Sequence, residues 1–219
     1  MASSIRIGLL DADSDVRFGR RLVLSSSPKF EVVFESDGSV SDIEAIEQSL
    51  IDVLVIDQKL SSGPGLDFYS NLRSLVGVKQ APTAILTSSF HQSGLLVDAL
   101  GQGFVDLVSL EQGASGLVDR VLQVVSGSPI RSLLDLKKLI DAQPPVIQVD
   151  LSFVRLVDEL PEKIASNLRR LKSVWDSVDS SKIEKYDLSS LNDAVARLPV
   201  ANSTELIMTM SRSGLLDVK

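Results

Sequence analysis

Along the first 127 residues, short apolar runs alternate with stretches of helical spacing. The runs are IRIGLL (5–10), FEVVFES (30–36), DVLVI (52–56), PTAILT (82–87) and FVDLVSL (104–110). Between and after them, residues 15–25, 41–50, 66–75, 92–103 and 114–127 place apolar side chains at three- and four-residue intervals. In the first of these, Val16, Leu22 and Val23 stand among Arg17, Arg20 and Arg21. Ser41 is placed to cap the second, and Gly127 to close the fifth. The loop after the third run carries Gly63, Pro64 and Gly65. Five strand–helix repeats predict an α/β fold, a five-stranded doubly wound parallel sheet. The runs barely alternate in polarity, as expected of strands covered on both faces.

Beyond Gly127 the pattern changes. SPIRSLLDLKKLI reads as helical, and the Pro144-Pro145 pair then favours extended backbone. Helical spacing returns over about 150–159, 161–177, 181–196 and 203–213, with Ser203 placed to cap the last helix and Gly214 to end it. The division expected is a sheet domain at 1–127, a partly helical linker at 128–148 and a small all-α domain at 149–219.

In a doubly wound sheet, chemistry gathers outside the carboxyl ends of the strands. The residues at those ends are Asp11 and Asp13 after the first strand, Asp57 after the third, Thr87 after the fourth, and Ser109 or Leu110 after the fifth. The four apolar residues before Asp57 make it the first polar side chain at the mouth of the sheet.

Charge and composition narrow the function classes. The net charge is −7, so no global field draws the chain to nucleic acid. Residues 1–145 hold 12 Lys/Arg against 18 Asp/Glu, and residues 146–219 hold 10 against 11, which points to two units with different roles. The absence of cysteine removes disulfides, thiol catalysis and thiolate metal sites. A single histidine, His91, leaves no multi-histidine metal site and no Ser/His/Asp triad worth building. No apolar run reaches bilayer length and the start of the chain lacks the pattern of a signal peptide, so a cytoplasmic protein is expected.

The order of elements and these strand ends resemble the receiver domain of bacterial two-component response regulators, a flavodoxin-like fold, over residues 5–127. The resemblance implies Mg²⁺ held by an acidic pair and by the aspartate ending the third strand. That aspartate would take a phosphoryl group from a histidine kinase, and a Thr and a Lys would bind the phosphoryl oxygens. Asp11 matches the first acidic position, Asp57 the phosphoacceptor and Thr87 the hydroxyl. The second acidic position is Ala12, leaving Asp13 to stand in as the ligand. The lysine falls on Ser109 or Leu110, and the aromatic of the last strand on Leu107. Phosphoryl transfer is mostly positioning and charge neutralisation, so a missing ligand and a missing cation argue for a receiver that is independent of phosphorylation or only weakly phosphorylatable.

The second half resembles the helix-turn-helix domain of NarL/LuxR/FixJ regulators. The stretch LPVANSTELIMTMSRSGLL (198–216) carries Thr204, Glu205, Arg212, Gly214, Leu215 and Leu216 where that family has its ending, and residues 153–168 match its first two helices. Between them lie about a dozen extra residues, and the family's Lys and His positions fall on Leu188 and Ser190. YDLSSLNDAV carries two aspartates and no basic residue, an unfavourable charge against phosphates. Arg169, Arg170 and Lys172 remain as candidates for DNA-backbone contact. Trp175 is expected to pack the inserted segment, and His91 to lie at the surface near the site. The expectation is a non-enzymatic transcriptional regulator, homodimeric through its receiver. Its alternative is an interaction module that docks to another regulatory protein after losing both phosphoryl transfer and DNA readout.

Overall fold

A computed structural model describes residues 4–89, 93–109, 111, 113–127, 130–144 and 150–216. The chain divides into two units, residues 1–130 and 131–219.

The first unit runs β1 (Ile5–Leu10), α1 (Ser14–Ser25), β2 (Phe30–Ser36), α2 (Asp42–Gln48), β3 (Val53–Asp57), β4 (Lys59–Leu60), β5 (Gly63–Pro64), α3 (Gly65–Val76), β6 (Thr83–Ser88), α4 (Ser93–Gly101), β7 (Asp106–Ser109) and α5 (Gly113–Val125). Five strands form one parallel sheet in the order β2-β1-β3-β6-β7, so the strand order reverses beside β1 and β3. The α/β architecture expected from the run pattern is present. The remaining two strands, β4 and β5, form a small antiparallel ribbon just after Asp57 that the run pattern does not show.

Side chains alternate across the strands. Ile7, Leu9, Val53, Val55, Ile85 and Val108 meet Leu24 of α1 and Leu117 and Val121 of α5 in one buried cluster. Two arginines enter this layer. Arg120 of α5 reaches Asp106, a fully buried acid at the start of β7, at 2.7 Å. Arg20 of α1 is buried at the opposite end of the sheet. The stripe of α1 that turns inward is Val16, Arg20 and Leu24, at four-residue spacing, while Phe18 and Leu22 are exposed. Leu22 thus lies outside the face that its spacing suggested.

Helix starts are largely fixed by side chains. Asp13 caps α1, accepting from the amides of Asp15 and Val16 at 2.9 and 3.1 Å. Ser41 occupies the N-cap position of α2 but makes no side-chain capping bond; Ser36 Oγ donates to Asp42 in that turn instead. Gly65 opens α3 close against the end of β3: a Cβ there would collide with the Asp57 carbonyl and stand 2.9 Å from Ile56 Cγ2.

The second unit contains α6 (Leu133–Asp141), α7 (Leu151–Asp158), α8 (Glu162–Trp175), α9 (Ser180–Glu184), a 3-10 turn (Leu188–Leu191), α10 (Asn192–Arg197) and α11 (Ser203–Arg212). The expected linker at 128–148 therefore contributes a helix to this unit. Ser132 and Asp135 form a capping box at its start, and Leu133, Leu136 and Ile140 are buried. Pro145 lies outside the described residues. Along α8, Ile164, Leu168, Leu171 and Trp175 form the core stripe, and Lys137 of α6 lies 4.5 Å from the Trp175 ring centroid. Trp175 is a core residue, as expected. The single helix expected over 181–196 is three short pieces, because Asp179 and Asp187 each start a new turn by accepting from an amide two residues on. α11 is buried on nearly every side, and its cap is Asn202 rather than Ser203: Asn202 Oδ1 accepts from the Glu205 amide at 2.8 Å. Gly214, at φ +73, supplies the left-handed residue that follows its end.

Two variants check these packings by urea unfolding. Gly65→Ala is expected to lose about 1–3 kcal/mol, because the obstacle is backbone and cannot rotate away. Leu171→Ala is expected to lose about 2–5 kcal/mol from the second unit.

Candidate functional site

The parallel register builds the site. Leu10 pairs with Ile56, so the residues that follow, Asp11 and Asp57, emerge side by side, and Asp57 itself pairs with Thr87. Ser109 lies across from Ser88 at the end of β7. The carboxyl ends of β1, β3 and β6 therefore bring together three of the residues singled out from the sequence.

What the run pattern did not reveal is the cation among them. Arg20 donates through Nη1 to Asp11 Oδ2 and through Nη2 to Asp57 Oδ2, the latter at 2.9 Å. The three side chains are largely out of water, with relative exposures of 7% for Arg20, 6% for Asp11 and 17% for Asp57. Thr87 Oγ1 stands 3.1 Å from Asp57 Oδ2 and 3.4 Å from the Ile56 carbonyl. Asp57 Oδ1 accepts the Lys59 amide at 3.0 Å. Asp11 Oδ1 accepts the Asp13 amide at 2.9 Å, while its backbone carbonyl accepts from Arg17 Nη1. Two carboxylates and one guanidinium leave a single net negative charge. Removing one partner from such a buried arrangement costs about 3–5 kcal/mol.

The metal set Asp11, Asp13 and Asp57 does not come together. The Asp13 carboxylate is exposed and engaged as the cap of α1, and Ala12 is exposed beside it. Among the described residues no group of three His, Cys, Asp or Glu side chains is placed to hold a metal ion. Mg²⁺ needs near-octahedral oxygen ligands, and the two carboxylates present share a guanidinium instead. With Arg20 bridging them, these residues do not fit the ion. Ser109 is buried at the end of β7 and Leu107 is core; Leu110 and His91 lie outside the described residues.

The basic cluster of the second unit sits on α8. Arg169 pairs with Glu162, both exposed, and Lys172 Nζ donates to the Leu215 carbonyl at 3.2 Å. Arg170 is exposed. At the positions that would read bases, Leu188 is buried, and Ser190 Oγ donates to the Asp187 carbonyl at 2.7 Å. The hydroxyl and amide of Ser189 hold the Asp187 carboxyl below its usual range, fixing a negative charge in this segment.

Burial pushes the Asp11 carboxyl up; the Asp13 amide and the Arg20 charge oppose this, and the Asp57 and Asp13 charges add to it. A carboxyl raised on folding stabilises the fold while protonated, and that contribution is lost as pH rises through its folded value. Wild type is therefore expected to lose stability relative to Asp11→Asn between about pH 4 and about pH 7, measured by urea midpoints at both values.

No family model matches the sequence, and no curated protein matches it. Solved structures do. The signal receiver domain of the response regulator NarL from Mycobacterium tuberculosis is 25% identical over 57% of this chain and 98% of its own, with a TM-score of 0.51. A LuxR-family two-component response regulator from Aurantimonas sp. is 23% identical over 58% of this chain and 89% of its own, at 0.53. The response regulator RcsB from Salmonella typhimurium, whose structure concerns conformational dynamism for DNA interaction, covers 99% of this chain and 94% of its own at 15% identity and 0.52. In fold and in the order of its units, a receiver-fold unit followed by a helical one, the chain is similar to these NarL/LuxR-type response regulators.

Proposed function

We propose that the chain is an atypical response regulator that controls transcription through a receiver working without phosphorylation. The observation that carries the receiver half is the carboxylate of Asp57, the residue matching the phosphoacceptor. It already accepts from Arg20 and Thr87 on Oδ2 and from the Lys59 amide on Oδ1, so most of its acceptor capacity is taken by the chain's own donors. The effector half is supported by the whole-chain likeness to RcsB, whose own structure concerns DNA interaction. Contact with DNA would run through exposed groups of α8, Arg170 first, to the phosphate backbone.

A second reading, a module that docks to another regulator instead of to DNA, is favoured by one feature. The segment from Asp187 to Ala196 has no basic side chain, buries Leu188 and Leu191, and keeps Asp187 ionised.

Fluorescence anisotropy with a labelled duplex, across a salt series and with or without acetyl phosphate and Mg²⁺, tests the proposal. Affinity is expected to fall with salt at about 0.9 log unit per log unit for each phosphate neutralised, and to ignore acetyl phosphate. Arg170→Ala is expected to reduce the slope by about 1. A flat salt response transfers the function to the docking reading, and a response to acetyl phosphate overturns phosphorylation independence.

A further inference from the structure

We propose that Arg20 is a tethered cation that occupies the place of a divalent ion and excludes it, so that the chain holds a hard-cation site in latent form. Two largely buried carboxylates at the ends of neighbouring parallel strands are the oxygen set that a hard divalent cation bridges. Here the bridge is one planar guanidinium, with separate nitrogens on Asp11 and Asp57.

The helix delivers Arg20 there by construction. It falls on the buried stripe between Val16 and Leu24, where an apolar residue is the default, and side chains on a helix lean toward its N-terminus. Since α1 begins just beyond β1, that lean carries Arg20 back over the sheet's carboxyl end. Arg17, one turn earlier, binds the Asp11 carbonyl and fixes the intervening turn. Asp13, the carboxylate nearest to completing a metal set, is committed to the helix cap. Arg20 is thus a positioning residue. It offsets one of the pair's two charges, shares Asp57 Oδ2 with Thr87, and holds its own positive charge between the two facing oxygens, where a dissolved ion would have to sit.

The inference deepens the receiver half of the functional reading and is independent of DNA contact. The probes are Mn²⁺ and Mg²⁺, used on the full chain. Mn²⁺ uptake is read from the loss of the free-ion electron paramagnetic resonance signal, and Mg²⁺ from its effect on the thermal midpoint. Wild type is expected to bind no Mn²⁺ at roughly millimolar concentration, where weak protein sites fill, and to keep its midpoint in Mg²⁺. Arg20→Ala is expected to melt lower, to bind one Mn²⁺, and to regain part of its midpoint in Mg²⁺. Adding Asp57→Asn is expected to abolish that uptake. Arg20→Lys keeps a charge on the stripe and is expected to exclude Mn²⁺.

Uptake by wild type or by Arg20→Lys overturns the inference, as does a folded Arg20→Ala that binds none. Should Arg20→Ala fail to fold in either ion, wild type and Arg20→Lys decide by the same criteria. Mn²⁺ uptake by wild type together with indifference to acetyl phosphate would overturn this inference while leaving the functional reading intact.

Discussion

The carboxyl end of the sheet depends on one guanidinium shared by two acids. Parallel strands in register bring Asp11 and Asp57 together whether or not their charges agree, because the register follows from the apolar residues beneath them. Like charges at that distance, with little water between, need a counter-charge. Arg20 supplies it from inside the chain, at a position where α1 would otherwise bury an aliphatic side chain. The orientation of Asp57 toward Thr87 and the fixed β1–α1 turn belong to the same arrangement.

Much of this was legible from the residues. The strand ends could be placed because each apolar run stops at a polar residue, so Asp11, Asp57 and Thr87 fell at one rim before any geometry was known. Arg20 was hidden by an assumption about its helix. Taking Leu22 and Val23 as the inward face makes the arginines a solvated one, whereas Leu24 and Val16 bracket Arg20 at four-residue intervals. A charge at the centre of a buried stripe is a readable signal once the stripe is drawn correctly. The break-up of the 181–196 helix was readable in the same way. Asp179-Ser180-Ser181 and Asp187-Leu188-Ser189 both have the chemistry of a helix start, an acid accepting an amide two residues on.

The second unit shows what a likeness of fold leaves open. Its last helix, α11, is buried along most of its length, and α6 buries Leu133, Leu136 and Ile140 in the same unit. Fold is carried by these buried stripes. Nucleic-acid contact depends instead on the few side chains at the surface, where the cluster Arg169, Arg170 and Lys172 stands on α8 and the segment from Asp187 to Ala196 has no basic residue. Core and function are thus decided by different residues.

The pair formed by Arg120 and Asp106 has a mechanical meaning. It joins α5 to the start of β7, while Arg20 joins α1 to the far ends of β1 and β3. The two helices on one face of the sheet are therefore pinned at opposite ends, by contacts that tolerate no sliding. Aliphatic side chains exchange one groove for the next at modest cost, but a one-turn slip of about 5.4 Å would leave a buried charge without its partner. This face of the sheet therefore resists shear between its two helices.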